Sequence, residues 1–136
     1  MTYALSSALQ QAVYQHLLND SVLAGLVGTA IYDALPSGTL PLLYVSIGPE
    51  KVRNISDKLS QSAEHEFIVS VVTDNTGFSG AKTVAGAICD VLVDAPLVLT
   101  RGTLTALHFY RAEATRGGSG GQRQIDLKFK ARVSDQ

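Results

Sequence analysis

Gln124-Ile-Asp-Leu-Lys-Phe-Lys-Ala-Arg-Val133 is the stretch whose reading decides the fold. Ile125, Leu127, Phe129, Ala131 and Val133 alternate with Gln124, Asp126, Lys128, Lys130 and Arg132. A period of two sets one row on a core and the other in water or against a polar partner. A helix would scatter those apolar side chains around its circumference, so the segment reads as a strand. Just upstream stands Arg116-Gly-Gly-Ser-Gly-Gly121, and before it an extended run at 103–114 carrying Leu104, Leu107, Phe109 and Tyr110. Two β-rich runs joined by a glycine-dense turn predict a long antiparallel hairpin with a mobile tip. A hairpin alone is marginal in water, so the rest of the chain must supply the layer it packs on.

Leu5, Ala8, Leu9, Ala12, Val13, His16 and Leu17 follow helical spacing opposite a row of Ser and Gln. They predict an amphipathic helix with Thr2 as its cap. Asp20 or Ser21 can cap a short second helix carrying Val22, Leu23, Leu26 and Val27, and Gly28 suits its left-handed end. Residues 30–35 read as a short strand ended by Pro36-Ser-Gly38. A strand at 42–47 follows, with Leu43, Val45 and Ile47 in one row, closed or bent at Gly48-Pro49. Residues 50–64 turn polar and read as a loop, or as two strand ends projecting beyond the sheet. Phe67, Val69 and Val71 alternate with a row that includes Ile68 and Val72. Apolar residues on both rows predict a central strand covered on both faces, or on one face by a neighbouring subunit. Ala81, Val84, Ala85, Ile88, Val91 and Leu92 then resume helical spacing up to Ala95-Pro96. The expectation is an α+β domain spanning residues 1–136. It has a mainly antiparallel sheet of four to five strands, two main helices on one face and a long C-terminal hairpin.

Hydrophobic content of 46% with 17% charge fits a globular chain. No apolar run nears the roughly 20 residues of a membrane helix. No basic residue precedes the first apolar positions, which argues against a secretory signal and for synthesis in the cytoplasm. The lone Cys89 has no internal disulfide partner and reads as an inert core thiol. Net charge is −1 but unevenly spread. Residues 1–100 hold four basic and nine acidic side chains, whereas residues 101–136 hold seven basic and three acidic. An acidic body with a basic hairpin can steer self-association as readily as it attracts nucleic acid.

The chemical motifs fail one by one. His65-Glu66 opens like a zincin helix, but Val69 stands where the second histidine is required. The spacing of His16, His65 and His108 matches no metal cage. Gly77-Phe-Ser-Gly-Ala-Lys-Thr83 sits where a phosphate loop would, yet Ala81 separates Gly80 from Lys82 and the backbone amides lose their focus. No Gly-x-Ser-x-Gly elbow is present. These absences argue against an enzyme and against a resident cofactor or metal. The single Arg-Gly-Gly copy lacks the repeats and interleaved aromatics of an RNA-binding segment.

Taken in order, the chain resembles the tail-completion, or tail-terminator, proteins of long-tailed bacteriophages and gene transfer agents. The likeness rests on the first amphipathic helix leading into Leu26-Val-Gly-Thr-Ala-Ile-Tyr-Asp33, and then on Leu40-Pro-Leu-Leu-Tyr-Val-Ser-Ile-Gly48. The strand at 66–73, the helix after Gly77 and Phe109-Tyr-Arg111 with its glycine-rich turn also match in order. Ala30 departs from the arginine more usual in that family. The resemblance implies a non-enzymatic virion protein made in the bacterial cytoplasm. It would form a ring, usually a hexamer, on the head-proximal end of the tail tube. There it would stop tube polymerisation and present a surface to the head's connector or stopper protein. DNA would pass through the lumen without sequence-specific binding, and no membrane is involved. On that reading the 49–65 loop (Lys51, Arg53, Lys58) contacts neighbouring subunits or the tube protein. The hairpin tip (Arg116, Gly117, Gly118, Ser119, Gly120, Gly121, Arg123) is expected to do the same. The alternatives are a head–tail connector or minor tail component, or a nucleic-acid module using the basic hairpin.

Overall fold

The computed structural model describes residues 2–59, 61–74, 78–116 and 122–135. The expected mobile tip, with Gly117, Gly118, Ser119, Gly120 and Gly121, lies outside the described residues. Five strands form one sheet: β1 (Ile31–Tyr32), β2 (Leu43–Asn54), β3 (Ser62–Thr73), β4 (Thr103–Arg116) and β5 (Arg123–Ser134). Their spatial order is β1-β2-β3-β5-β4, antiparallel throughout except for the parallel β1–β2 pair. The terminal hairpin is therefore real, and its β5 arm is inserted beside β3 so that β4 becomes an edge. β3 takes the middle position, as its two apolar rows predict. One row (Ala63, His65, Phe67, Val69, Val71) is buried, while Glu64, Glu66 and Ile68 on the other are half-buried.

Helices α1 (Ser6–Leu18) and α3 (Ser79–Leu92) cover the buried face, and the short α2 (Ser21–Val27) adds Leu23 to the same core. Leu5, Leu9, Val13 and Leu17 from the α1 side, and Val84, Ile88 and Leu92 from α3, meet Val45, Val69, Leu127 and Phe129 of the sheet. Fully burying side chains of this size stabilises by about 1.5–3 kcal/mol each, which is the energetic basis of the two-layer arrangement. Phe129 stacks on Phe67 at 5.6 Å between centroids and meets the edge of Phe109 at 6.0 Å, so three strands share one aromatic contact. Asp20 caps α2 through a 3.0 Å bond accepted from the Leu23 amide, and Gly28 closes that helix at φ +62°.

Three local expectations are corrected, and one open alternative is decided. Thr2 does not cap α1: its hydroxyl accepts from the Ala4 amide, and Leu5 occupies the cap position without a side-chain bond. The strand expected at 30–35 shrinks to Ile31–Tyr32, because the residues after it turn away towards Pro36. The third helix ends at Leu92, with Asp94 in the left-handed region at φ 57° and its amide bonded to the Leu107 carbonyl. The polar 50–64 stretch is mostly strand, in keeping with the projecting-ends alternative: β2 runs on to Asn54 and β3 starts at Ser62.

The extension of β2 beyond Ile47 has a definite cause. The β2–β3 register steps from Ile47↔Val69 to Glu50↔Phe67, so Gly48-Pro49 forms a bulge. Two residues then stand opposite one and the inward row changes parity. Pro49 is tolerated because β1 pairs only as far as Ser46, leaving that side of β2 without a ladder to break. Glu50 and Val52 thereby face the helices, while Lys51 and Arg53 face the other way.

Candidate assembly surfaces

The inward turn of Glu50 builds a polar knot inside the core. Its carboxylate accepts from the Ser6 and Tyr3 hydroxyls, tying the start of α1 to β2. His65 lies one register step away, fully buried, with Nδ1 3.7 Å from Glu50 Oε2. That separation is too long for a hydrogen bond, and neither ring nitrogen has a hydrogen-bond partner. His65 is thus a fully buried ring whose charged neighbour is the Glu50 carboxylate.

Burial pushes the His65 imidazole below its ordinary range, against the opposing pull of Glu50. A base held neutral in the folded state binds fewer protons there than in the unfolded chain. Stability therefore falls as pH drops below the ordinary histidine range towards the folded-state value. Unfolding midpoints measured at pH 7.5 and 5.5 are expected to drop on the acid side, and His65→Leu is expected to flatten that drop. An unchanged slope in the variant would remove His65 as its source.

The opposite face of the sheet is covered at one end, where Ala30, Tyr32 and Leu40 pack on Tyr44 and Val72, and beyond that it carries crossed charges. Arg53 meets Glu64 at 3.2 Å, Lys130 approaches the same carboxylate at 3.9 Å, and the Lys130 ammonium sits 3.9 Å above the Tyr110 ring. Further along, Ser70 Oγ and Gln124 Nε2 both donate to Asp126, at 2.7 and 2.8 Å. A shallow depression of about 260 Å³ among Arg53, Glu64, His108, Lys130 and Arg132 marks the most charged part of this face. Exposed pairs of this kind contribute little to stability, about 0–1 kcal/mol each. Their use is to fix where charge is displayed.

The predicted contact residues divide into two groups. Lys51, Arg53 and Lys58 are exposed around the end of the sheet that carries the 55–61 turn. Arg116 and Arg123 pair in register at the other end, where Arg123 lies 5.6 Å from the Phe78 ring centroid. Nine residue steps of β3 separate the two levels, roughly 30 Å of strand. The sheet thus holds the two basic groups apart as separate patches.

Sequence reading missed a third surface. α3 lies over β5 and stops short of the edge strand, leaving an apolar groove of about 300 Å³ between Ala85, Gly86 and Cys89 on the helix and Phe109, Ala112 and Ala114 on β4. Alternation identifies the apolar row of β4 but not the reach of the helix that should cover it. Cys89, expected in the core, is half-buried on this groove wall, with burial and then the nearby Asp90 carboxylate raising its thiol pKa. Among the described residues, no group of three His, Cys, Asp or Glu side chains converges as a metal site requires. No helix among the described residues is long and apolar enough to cross a membrane.

Comparison with known families places this arrangement. Residues 11–134 match the family described as Tail completion protein gp17. The chain belongs to that family. A solved chain from the structure titled "Virion of native gene transfer agent (GTA) particle" is 54% identical, with a TM-score of 0.93. That alignment covers 98% of this chain and 99% of the other. No curated protein matches. The resemblance stated from the sequence motifs therefore holds, and this tail completion family member is a structural tail component of a virion.

Proposed function

We propose that the chain closes the head-proximal end of a tail tube as a ring, stops tube growth and offers the surface on which the head's connector or stopper docks. The observation that supports this most is the near-complete superposition on a gene transfer agent virion chain at 54% identity. The two chains match almost end to end, with 98% of this chain and 99% of the other covered. The separation of the basic patches is consistent with it. A closed ring is built from heterologous contacts, in which two different surfaces of each subunit meet. One basic patch then serves the tube and the other the neighbouring subunit or the connector. The expected copy number is six, and DNA crosses the lumen without base-specific contact. The protein acts by occupying a place in the assembly, with no chemical step.

The test is a deletion of residues 117–121. Purified variant protein is expected to stay folded, because Arg116, Gln122 and Arg123 can turn between the Thr115↔Gln124 pair while the rest of the β4–β5 ladder is kept. Separate heads and tails are expected to accumulate in place of joined particles. Normal yields of joined particles, or labelled protein located away from the head–tail junction, would overturn the reading. Location at the junction as a connector layer, without contact to the tube, would favour the connector alternative.

A further inference from the structure

We propose that the groove between α3 and β4 is the seat of a second copy of this chain, filled by that copy's 20–42 flank on the β1 side. This rests on the ring reading and specifies the contact that would close it. The groove is where the two-layer arrangement is left incomplete. Phe109, Ala112 and Ala114 stand in register with the inward residues Phe129, Leu127 and Ile125, so they belong to the helix-covered face. Yet all three are exposed, Phe109 at 44%, because α3 covers β5 and not the edge. An apolar strip beside an unpaired edge strand is a surface that a folded chain ordinarily covers or interrupts with charge.

Charge selects the occupant. The one charged residue lining the groove is Lys82, and Arg116 continues the row of Ala112 and Ala114 beyond it. A cationic rim of this kind favours an acidic partner. The opposite edge of the same molecule has the complementary character. Residues 20–42 contain no Lys or Arg and carry Asp20 and Asp33. The 20–42 flank also leaves Val22, Leu26, Leu35 and Leu42 exposed, at 59, 38, 53 and 66%. An acidic, apolar flank at the β1 edge and a basic-rimmed apolar groove at the β4 edge form a donor–acceptor pair on opposite sides of one sheet. Such a contact is head-to-tail and propagates round a ring without a twofold axis.

Cys89 on the groove wall is the chain's only cysteine and supplies the probe. The assembled full-length protein carrying Leu35→Cys is treated with a short bis-maleimide and run as a denatured ladder. Cross-links between copies are expected to reach the full ring, and to vanish when Cys89→Ser is added. Leu59→Cys, 92% exposed at the 55–61 turn, is expected to give none. A second variant, Ala112→Glu, places a carboxylate in the apolar strip at an exposed site. It is expected to weaken association at least about tenfold while the monomer stays folded. If lysine-directed cross-linking shows multimers but Leu35→Cys gives no ladder, or Leu59→Cys gives the ladder instead, the groove assignment fails and the ring reading survives. If the wild-type protein is present as a single copy in particles, the ring reading fails and this contact with it.

Discussion

Replacing Phe129 with alanine is expected to cost the fold about 3–5 kcal/mol, the range for removing a buried aromatic. The ring is fully buried and contacts Phe67 and Phe109 on the two strands beside it. Its loss leaves a void where β3, β4 and β5 meet through three aromatic side chains. Edge-to-face and offset aromatic pairs add about 0.5–1.5 kcal/mol beyond area burial. The denaturant midpoint should therefore fall further than for a fully buried aliphatic such as Val133 changed to alanine. For a domain holding about 5–15 kcal/mol in total, this one change brings the chain near its unfolding threshold at ambient temperature. Equal midpoints for Phe129→Ala and Val133→Ala would show that the aromatic contact adds nothing to burial.

Gly102→Ala is the second large effect, expected at about 2–5 kcal/mol. Gly102 sits at φ +77°, in the left-handed region that costs an L side chain about 1–2 kcal/mol. A Cβ there would also fall 2.6 Å from Leu5 Cδ1 and 2.7 Å from the Ser134 carbonyl. Leucine can swing its methyl aside, but the carbonyl belongs to the end of β5 and is fixed by pairing with both neighbours. Gly28→Ala is the natural control. Its φ is +62°, but nothing lies within 4 Å of the added carbon. Chemical denaturation of both variants should separate strain from collision, with Gly28→Ala costing only the strain. Indistinguishable losses would mean that the close approach at Gly102 is relieved without penalty.

What the sequence reveals divides along a physical line. The hairpin, the central strand and both long helices are legible because each buries one continuous row, and a row leaves a period behind. Asp20 and Gly28 are legible because an N-cap and a left-handed end demand those residue types. The stretch after Ile47 is not legible as strand, because the bulge breaks the count: Val52 is inward only if Gly48 and Pro49 stand opposite a single residue. The candidate residues share this divide. Charge counting finds Arg116 and Arg123, since composition alone exposes a basic hairpin, while Lys51 and Arg53 enter only with the polar 49–65 stretch. It cannot show that the strands hold them at opposite ends. The groove leaves no trace at all, for it depends on how far α3 reaches across the sheet and not on any motif.

The bulge at Gly48-Pro49 also determines what kind of change this strand can absorb. Ile47 and Val52 lie an odd number of positions apart and still point the same way, because two residues count as one at the bulge. Losing either Gly48 or Pro49 would give plain alternation and keep both Ile47 and Val52 inward. Pairing every residue regularly at the present length would instead turn Val52 out to solvent and bring Arg53 beneath the helices. Removal of one residue is thus a change this segment can absorb, whereas straightening the strand without it is not.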